Sequence, residues 1–384
     1  MNIVADGNLP RAVEAFGPLG SLSLIDTVDF RPETVRDADA LVIRSETRVG
    51  PSLLDGSRVR FVGTASIGTD HLDVPWLDSH GIAWASAPGC NSRSVTEYIV
   101  AALLEAGRRL GRSWSGRTIG VVGVGAVGSK VSRAAEILGL RVLLNDPPLA
   151  RQTGDPKYVP LDALMEADVL TLHVPLTKDG PDPTFHLFNA GLFAKLRSRS
   201  LFLNSSRGSV VETAALAAAL DSGRVCAAVL DVWEGEPAID AGLAERSLIG
   251  TAHVAGYSLE GKIRAVVQVR DALARHRGID SAALPPLEPP PADFPPIVIP
   301  DGAGSDENVI RQAVSSACDI ALDDRLLRKS LSVPPSERPR AFARLRIAYR
   351  VRREFAAWTV SLPVERIEVG RTLANLGFKV AFRA

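Results

Sequence analysis

The stretch Thr118-Ile-Gly-Val-Val-Gly-Val-Gly-Ala-Val-Gly128 joins a β-branched run to a glycine loop, and a helical segment at 129–138 follows it. The loop glycines Gly123, Gly125 and Gly128 permit a tight turn, close approach of the backbone to a phosphate, and close packing of helix on strand. The start of the helix attracts an anion because its first N–H groups have no partner within the helix. The stretch therefore predicts a dinucleotide-binding fold.

An acidic residue follows the next apolar run, where dinucleotide folds hold the adenosine ribose. Asp146 comes directly after the run 141–145 and lies 18 residues after Gly128. Its carboxylate can accept hydrogen bonds from the ribose hydroxyls. The same charge repels a 2′-phosphate, and the two residues that follow are prolines, which offer no cation for one. We therefore expect NAD rather than NADP, with Ala126 and Val127 of the loop also in contact with it.

The rest of the chain repeats this alternation of short apolar runs and helical segments, which is typical of parallel sheets. Before the glycine loop, strands are predicted at 2–5, 21–25, 40–44, 61–65 and 82–86, followed by a long helix at 95–110. From the loop onward, strands are predicted at 118–122, 141–145, 168–173, 201–204, 225–230 and 251–255. Most of the later runs are continuously apolar, as expected of strands buried on both faces. The predicted fold class is therefore α/β, with doubly wound parallel sheets.

A proline-rich stretch marks a boundary nearer the C-terminus. Leu284-Pro-Pro-Leu-Glu-Pro-Pro-Pro-Ala-Asp-Phe-Pro-Pro296 predicts an extended connector. Beyond it, helices are predicted at 305–327 and 338–358, and strands at 359–362 and 379–382. A tail of this size folds only marginally alone, so we expect it to pack against a second subunit. Its arginine-rich stretch, 338–353, indicates a solvated helix face or interface salt bridges, with anion or nucleic-acid binding as the less favoured alternative.

The bulk composition describes a globular protein with more than one domain. The chain has 384 residues, of which 46% are hydrophobic and 23% charged. Lys plus Arg equals Asp plus Glu at 44 each, so neither nucleic acid nor an anionic membrane is expected as a partner. Cys90, Cys226 and Cys318 lack metal-ligand spacing and are expected to be reduced thiols in the cytoplasm, with no metal site. We see no signal peptide and no apolar run approaching the roughly 18 residues of a membrane span.

Three residues with catalytic chemistry follow the glycine loop. They occur in Asn204-Ser-Ser-Arg-Gly208, Asp231-Val-Trp-Glu-Gly-Glu-Pro237 and Ala252-His-Val-Ala-Gly-Tyr257. Arg207 follows a strand end, and its planar guanidinium suits a carboxylate. His253 can accept a hydroxyl proton while hydride leaves the same carbon. A carboxylate could orient the imidazole, and spacing alone leaves both Glu234 and Glu236 open. The set predicts hydride transfer from a 2-hydroxy acid.

At these residues the chain resembles the D-2-hydroxyacid dehydrogenase family, over roughly residues 1–280. The resemblance implies two Rossmann-like domains, with the catalytic domain built from both ends of the core chain. The implied division is a substrate-binding domain at 1–98 with 259–283, an NAD-binding domain at 99–258, a linker at 284–300, and a small α+β dimerisation domain at 301–384. A homodimer is therefore expected.

Finer motifs resemble one branch of that family. They are Val42-Ile-Arg-Ser45, Phe61-Val-Gly-Thr-Ala-Ser-Ile-Gly-Thr-Asp-His71, Ala87-Pro-Gly-Cys-Asn91, Asn145-Asp-Pro-Pro148, Asp231-Val-Trp-Glu-Gly-Glu-Pro237 and His253-Val-Ala-Gly-Tyr-Ser-Leu-Glu-Gly261. The segment after the linker resembles the dimerisation domain of the same branch. The resemblance implies oxidation of 4-phospho-D-erythronate to 2-oxo-3-hydroxy-4-phosphobutanoate, with NAD as acceptor, in the biosynthesis of pyridoxal 5′-phosphate.

The resemblance also implies roles for single residues. Arg207 and Glu236 are catalytic and His253 is the acid–base; Asp146, Val174, Asp231 and Gly256 line the NAD site; Ser45, Ser66 and Tyr257 contact the substrate. Ser66 stands where threonine is frequent, so it keeps the hydroxyl but loses a methyl group. Val174 can reach NAD only through backbone or apolar contact. Arg44 is a candidate for the phosphate, with a structural salt bridge equally open.

Two alternative functions remain. D-3-phosphoglycerate dehydrogenase, or another D-2-hydroxyacid dehydrogenase, shares the chemistry with a different acid. The position of Tyr257 and the C-terminal segment favour 4-phosphoerythronate. An NAD-sensing protein without turnover is the alternative from another class, and the intact trio of Arg207, Glu236 and His253 disfavours it.

Overall fold

The computed structural model describes residues 1–384, which form two compact units. The first comprises residues 1–91 and 258–291, and the second comprises residues 92–257 and 292–384. No helix combines the length and the hydropathy that a membrane span requires. The four-part domain division given above stays a prediction.

The strands, in chain order, are β1 Asn2–Asp6, β2 Ser21–Ile25, β3 Ala40–Ile43, β4 Phe61–Thr64, β5 Ala83–Ala85, β6 Thr118–Val122, β7 Arg141–Asn145, β8 Val169–Leu172, β9 Ser200–Asn204, β10 Val225–Leu230, β11 Ile249–Gly250, β12 Ile297–Val298, β13 Thr359–Pro363 and β14 Lys379–Arg383. The helices are α1 Ala12–Phe16, α2 Pro32–Val35, α3 Pro51–Leu54, α4 Val74–Ser79, α5 Ser92–Leu110, α6 Gly128–Ile137, α7 Pro147–Thr153, α8 Ala190–Lys195, α9 Thr213–Asp221, α10 Ala241–Arg246, α11 Leu259–His276, α12 Asp306–Ala317, α13 Ile320–Leu331, α14 Arg338–Ile347 and α15 Ile367–Leu376.

The first unit is built on a five-stranded parallel sheet in the order β2-β1-β3-β4-β5. Strands β3 and β4 are buried along their whole length, which explains their continuously apolar sequences. Helix α11 lies directly on β4: a Cβ on Gly63 would be 2.3 Å from Cγ1 of Val269. Because β3 and β4 are parallel neighbours, Ser45 and Ser66 follow them at the same edge of this sheet.

The second unit contains a six-stranded parallel sheet in the order β11-β10-β9-β8-β6-β7. The chain starts in β6, goes outward to β7, then returns to β8 on the other side of β6. The carboxyl ends of β6 and β8 flank this reversal, which is where doubly wound sheets bind ligands. The predicted α/β class with two doubly wound parallel sheets is confirmed.

A third, small parallel sheet in the order β12-β13-β14 lies in the C-terminal segment. This segment has no separate core. Buried side chains from α12, β13 and α15, among them Val309, Val360 and Leu373, belong to the same hydrophobic cluster as α5 and β6. Helix α13 packs against β11, where a Cβ on Gly250 would lie 2.9 Å from Cδ2 of Leu327.

Several predicted elements are wrong. Residues 251–255 are not a strand: β11 ends at Gly250, and the backbone of His253 is left-handed with φ 56°. The predicted helix at 305–327 is two helices, α12 and α13, which the non-helical residues Cys318 and Asp319 separate. The predicted helix at 338–358 ends at Ile347, with an irregular stretch beyond it. Strand β12 lies within the stretch 284–300, whose assignment as a linker stays a prediction.

Candidate active site

The glycine loop forms a cradle that side chains would obstruct. Gly123 has φ 85°, and a Cβ there would lie 2.7 Å from the carbonyl oxygen of His173. A Cβ on Gly128, the first residue of α6, would lie 1.9 Å from the carbonyl oxygen of Gly123. Gly125 is exposed, with open space where its Cβ would be. A phosphate can therefore approach the backbone at Gly125, opposite the first N–H groups of α6.

Asp146 ties this loop to the end of β7. One carboxylate oxygen accepts a hydrogen bond from the backbone N–H of Val124 at 2.8 Å, and the other accepts one from Leu149 at 3.0 Å. A carboxylate offers about four acceptor positions, so two are left for ribose hydroxyls. Val174 also borders the loop, since its Cγ1 would lie 2.8 Å from a Cβ on Gly123. The arrangement fits an adenine dinucleotide, and Ala126 and Val127 form the turn that precedes α6.

The imidazole of His253 is paired with Glu236 rather than Glu234. His253 Nδ1 lies 2.8 Å from one Glu236 carboxylate oxygen, and the other oxygen accepts a hydrogen bond from Trp233 N–H at 2.8 Å. Glu234 instead lies 2.5 Å from His186 Nε2 and accepts a hydrogen bond from the Thr213 hydroxyl. The two carboxylates of this loop therefore have different imidazole partners, a distinction that sequence spacing left open.

The surroundings of Glu236 keep it ionised. Burial on its own raises the pKa of this carboxyl, but the positive charge and hydrogen bond of His253, the Trp233 N–H and the charge of Arg346 together hold the pKa below its ordinary value. An ionised Glu236 can accept a hydrogen bond from a protonated Nδ1 of His253. When His253 is neutral and carries its proton on Nδ1, the lone pair of Nε2 can accept a proton.

A buried network holds the strained His253 in place. A left-handed conformation at a non-glycine residue costs about 1 to 3 kcal/mol. The Asp231 carboxylate accepts hydrogen bonds from the Thr251 hydroxyl at 2.6 Å and from the N–H groups of Val254 and Ala255 at 2.8 and 2.9 Å. The N–H of His253 donates to the Asp231 carbonyl oxygen at 2.7 Å. Asp231 is 1% exposed, so it acts on the loop; its contact with NAD stays a prediction.

Arg207 follows β9 on a turn that packs against the Trp233–Glu236 loop. A Cβ on Gly208 would lie 1.9 Å from the Trp233 carbonyl carbon, so only glycine permits this approach. Arg207 is half-buried, and its Nη1 donates to the Ser206 carbonyl oxygen at 2.8 Å. The turn is further fixed by Asn204, whose side-chain amide donates to the Arg207 carbonyl oxygen at 3.0 Å. Arg207, Glu236 and His253 thus lie on contacting loops.

The predicted substrate residues of the first unit lie at the carboxyl edge of its sheet. Ser45 is exposed, and its neighbour Arg44 forms an ion pair with Glu46 at 3.2 Å. Ser66 Oγ donates to the Gly68 carbonyl oxygen at 2.9 Å. The remaining predicted residues, Gly256 and Tyr257, are half-buried in the second unit, directly after the His253 loop.

The C-terminal segment also contributes to this loop, which sequence reasoning missed. Arg352, 3% exposed, donates a hydrogen bond to the Ala255 carbonyl oxygen at 2.6 Å. The Tyr349 ring meets the Tyr257 ring edge-on at 5.7 Å between centroids. Arg346 lies over the Tyr257 ring, with its guanidinium carbon 5.8 Å from the centroid. The arginine-rich stretch 338–353 was the signal in the sequence. The prediction of a solvated helix face or of interface salt bridges did not include buried arginines such as Arg352.

Comparison with known proteins agrees with this geometry. Residues 94–255 match the family model of the D-isomer specific 2-hydroxyacid dehydrogenase NAD-binding domain, and residues 290–377 match a domain of unknown function. Among solved structures, a protein from Thermus thermophilus aligns with TM-score 0.63 and 25% identity over 73% of this chain and 98% of its own. A D-lactate dehydrogenase from Aquifex aeolicus, complexed with NAD and lactic acid, shares the fold with TM-score 0.60 and 24% identity, over 72% of this chain and 96% of its own.

Curated relatives cover almost the whole chain. Erythronate-4-phosphate dehydrogenase from Salinibacter ruber is 44% identical over 368 residues, which is 94% of each protein. The enzyme of the same name from Serratia proteamaculans is 41% identical over 386 residues, covering 99% of this chain and 100% of its own. Identity at this level over both units and the C-terminal segment goes beyond a shared fold. The chain belongs to the erythronate-4-phosphate dehydrogenase family of D-2-hydroxyacid dehydrogenases.

Proposed function

We propose that this enzyme oxidises 4-phospho-D-erythronate at C2 to 2-oxo-3-hydroxy-4-phosphobutanoate, with NAD as hydride acceptor, in pyridoxal 5′-phosphate biosynthesis. The observation that carries the proposal is the 2.8 Å pair of His253 and Glu236, which lies on the loop that contacts the Arg207 turn. The named relatives supply the substrate.

The proposed chemistry divides between the cofactor and the side chains. NAD, when bound, accepts the hydride that leaves C2. His253 Nε2 accepts the proton of the C2 hydroxyl, while Nδ1–H donates to Glu236, which stabilises the imidazolium that forms. Arg207 binds the C1 carboxylate through its planar fork, which fixes C2 relative to His253.

The glycine cradle and its neighbours would hold NAD. Gly123, Gly125, Ala126, Val127 and Gly128 would receive the pyrophosphate, and Asp146 the ribose hydroxyls. Val174, Asp231 and Gly256 would contact the remainder. Assignment of Ser45, Ser66 and Tyr257 to the substrate is part of the same proposal.

NADH formation with a panel of acids tests the proposal. Purified enzyme is supplied with NAD and, separately, 4-phospho-D-erythronate, 3-phospho-D-glycerate or D-glycerate, and NADH absorbance is followed. We expect kcat/KM for 4-phosphoerythronate to exceed the value for either other acid by at least about tenfold, since one discriminating polar contact contributes at least this much. Preference for 3-phosphoglycerate would identify that dehydrogenase instead. NAD binding without turnover on any acid would favour the sensing protein.

The proposal includes a homodimer formed through the C-terminal segment. Apolar side chains are exposed there, including Ile347 at 70%, Val351 at 76% and Phe382 at 48%. Exposed apolar surface of this kind fits burial against a second copy. Light scattering at micromolar concentration should give the mass of a dimer, and a monomer would contradict this part. The three free cysteines fit a reducing compartment, and we propose the cytoplasm.

A further inference from the structure

Helix α14 of the C-terminal segment places Arg346 next to Tyr257, which follows the His253 loop. The guanidinium carbon of Arg346 is 5.8 Å from the centroid of the Tyr257 ring. The Tyr257 ring also meets the Tyr349 ring edge-on, with 5.7 Å between the centroids. Tyr349 is itself held, since its hydroxyl donates to an Asp323 carboxylate oxygen at 3.0 Å. Arg346 therefore lies beside two tyrosine rings that contact each other, one of which is held by Asp323.

Arg346 is also electrostatically close to the catalytic pair. Burial raises the pKa of Glu236, and the charge of Arg346 is one of the influences that lower it, after His253 and the Trp233 N–H. The active site of the second unit thus has two cations, Arg207 on the β9 turn and Arg346 on α14. They are 139 residues apart in the sequence.

The neighbouring arginines have structural partners. Arg350 forms an ion pair with Asp323, and Arg352 donates to the Ala255 and Ser94 carbonyl oxygens at 2.6 and 3.1 Å. Arg344 is exposed on the same helix as Arg346. Arg346 lies over the ring of Tyr257, a predicted substrate residue.

The proposed substrate has two anionic ends, a C1 carboxylate and a C4 phosphate. Arg207 accounts for the first. A phosphate is best recognised by a planar guanidinium, which can donate two parallel hydrogen bonds. We infer that Arg346 binds the 4-phosphate of the substrate beside the Tyr257 hydroxyl, so that the C-terminal segment determines specificity for a phosphorylated acid. This inference rests on the proposed function.

Two substrates that differ only in the phosphate test the inference. The kcat/KM of wild type, Arg346→Ala and Arg344→Ala is measured with 4-phospho-D-erythronate and with unphosphorylated D-erythronate. Loss of a charge-assisted hydrogen bond corresponds to about 10- to 150-fold. We expect Arg346→Ala to lose this factor with the phosphorylated acid, mainly through KM, and to change by less than about threefold with erythronate. Arg344→Ala, the exposed control, should match wild type on both.

Arg346→Lys and inorganic phosphate provide the second measurement. The lysine variant keeps the charge and the helix, so we expect it to recover part of the preference for the phosphorylated acid. Phosphate should compete with 4-phosphoerythronate in wild type and much less in Arg346→Ala. An equal fall with both acids would overturn the inference, because Arg346 would then act through Glu236. An unchanged preference would also overturn it. Wild type that fails to turn over 4-phosphoerythronate would refute the proposed function itself, and this inference with it.

Discussion

Replacing Glu236 by Gln removes the negative charge beside His253 and keeps an oxygen that can accept the Nδ1 proton. Two unit charges about 4 Å apart interact by about 4 kcal/mol at an effective dielectric constant of about 20. The imidazole is 32% exposed and the carboxylate 18% exposed, so water screens part of this energy. Taking half leaves about 2 kcal/mol of stabilisation of the imidazolium, and kcat should fall by about 30-fold.

The assay is NADH formation under saturating NAD and 4-phosphoerythronate, with NAD affinity measured separately by fluorescence titration. NAD affinity should not change, because the Glu236 contacts described above lie within the protein and outside the glycine loop.

Glu234→Gln is the matched control, since it removes a charge from the same loop but from the partner of His186. We expect it to keep kcat within about threefold of wild type, as the screened effect of a charge that does not contact His253 is small. A Glu236→Gln enzyme with wild-type kcat would refute the electrostatic role. A greater loss in Glu234→Gln would show that the wrong carboxylate was assigned.

Other perturbations test separate parts of the site. Arg207→Lys keeps the charge and loses the fork, so kcat/KM should fall by about 100-fold; unchanged steady-state kinetics would remove Arg207 from the carboxylate. Gly128→Ala places a Cβ 1.9 Å from the Gly123 carbonyl oxygen, so NAD affinity by titration should fall at least about tenfold, and wild-type affinity would contradict the cradle. Asp231→Asn weakens a buried acceptor of three hydrogen bonds and should lower the free energy of unfolding in urea by about 1 to 3 kcal/mol together with kcat. A change in NAD affinity alone would place Asp231 at the cofactor instead. Burial lowers the pKa of His173 to about 3. As pH falls below about 6.5, the His173 imidazole therefore becomes protonated in the unfolded chain while it stays neutral in the folded protein. The free energy of unfolding should therefore decline by at most about 2 kcal/mol between pH 6.5 and 5. His173→Gln should show a shallower decline, and identical slopes would contradict the shift.

The parallel sheets were predictable because their strands carry strong local signals. Strands β6, β7 and β10 were predicted at their observed bounds, since each contains a short apolar run beside turn residues. β6 and β10 are almost wholly buried, as such runs predict, whereas β7 is an edge strand and only partly buried. The run 251–255 carries the same apolar signal without forming a strand. Its first N–H groups donate to the Leu230 and Asp231 carbonyl oxygens, and those of Val254 and Ala255 donate to the Asp231 carboxylate in place of a neighbouring strand. Sequence patterns report burial, and they do not reveal which group satisfies the backbone.

Parts of the candidate site could be predicted where the residue type alone determines the local structure. They could not be predicted where tertiary contacts decide between two residues of the same type. The glycine loop requires residues without side chains at Gly123 and Gly128, and glycines are visible directly in a sequence. Glu234 and Glu236 are chemically identical and two residues apart, so only the positions of His186 and His253 distinguish them. The roles of Arg346 and Arg352 depend on partners about 90 to 100 residues earlier in the chain. Such pairing has no periodicity that a sequence can show.

The hydrogen bond from Arg352 to the Ala255 carbonyl oxygen has a consequence for the timing of synthesis. Arg352 emerges 99 residues after His253. At about 5 to 20 residues per second, a growing chain carries His253 for roughly 5 to 20 s before Arg352, whose side chain bonds to the same loop, is synthesised. The glycine loop and all of the six-stranded sheet are complete by then. Since α12, β13 and α15 share the hydrophobic cluster of β6, a ribosome-bound or prematurely terminated chain lacks both part of that core and the hydrogen bond that supports the His253 loop.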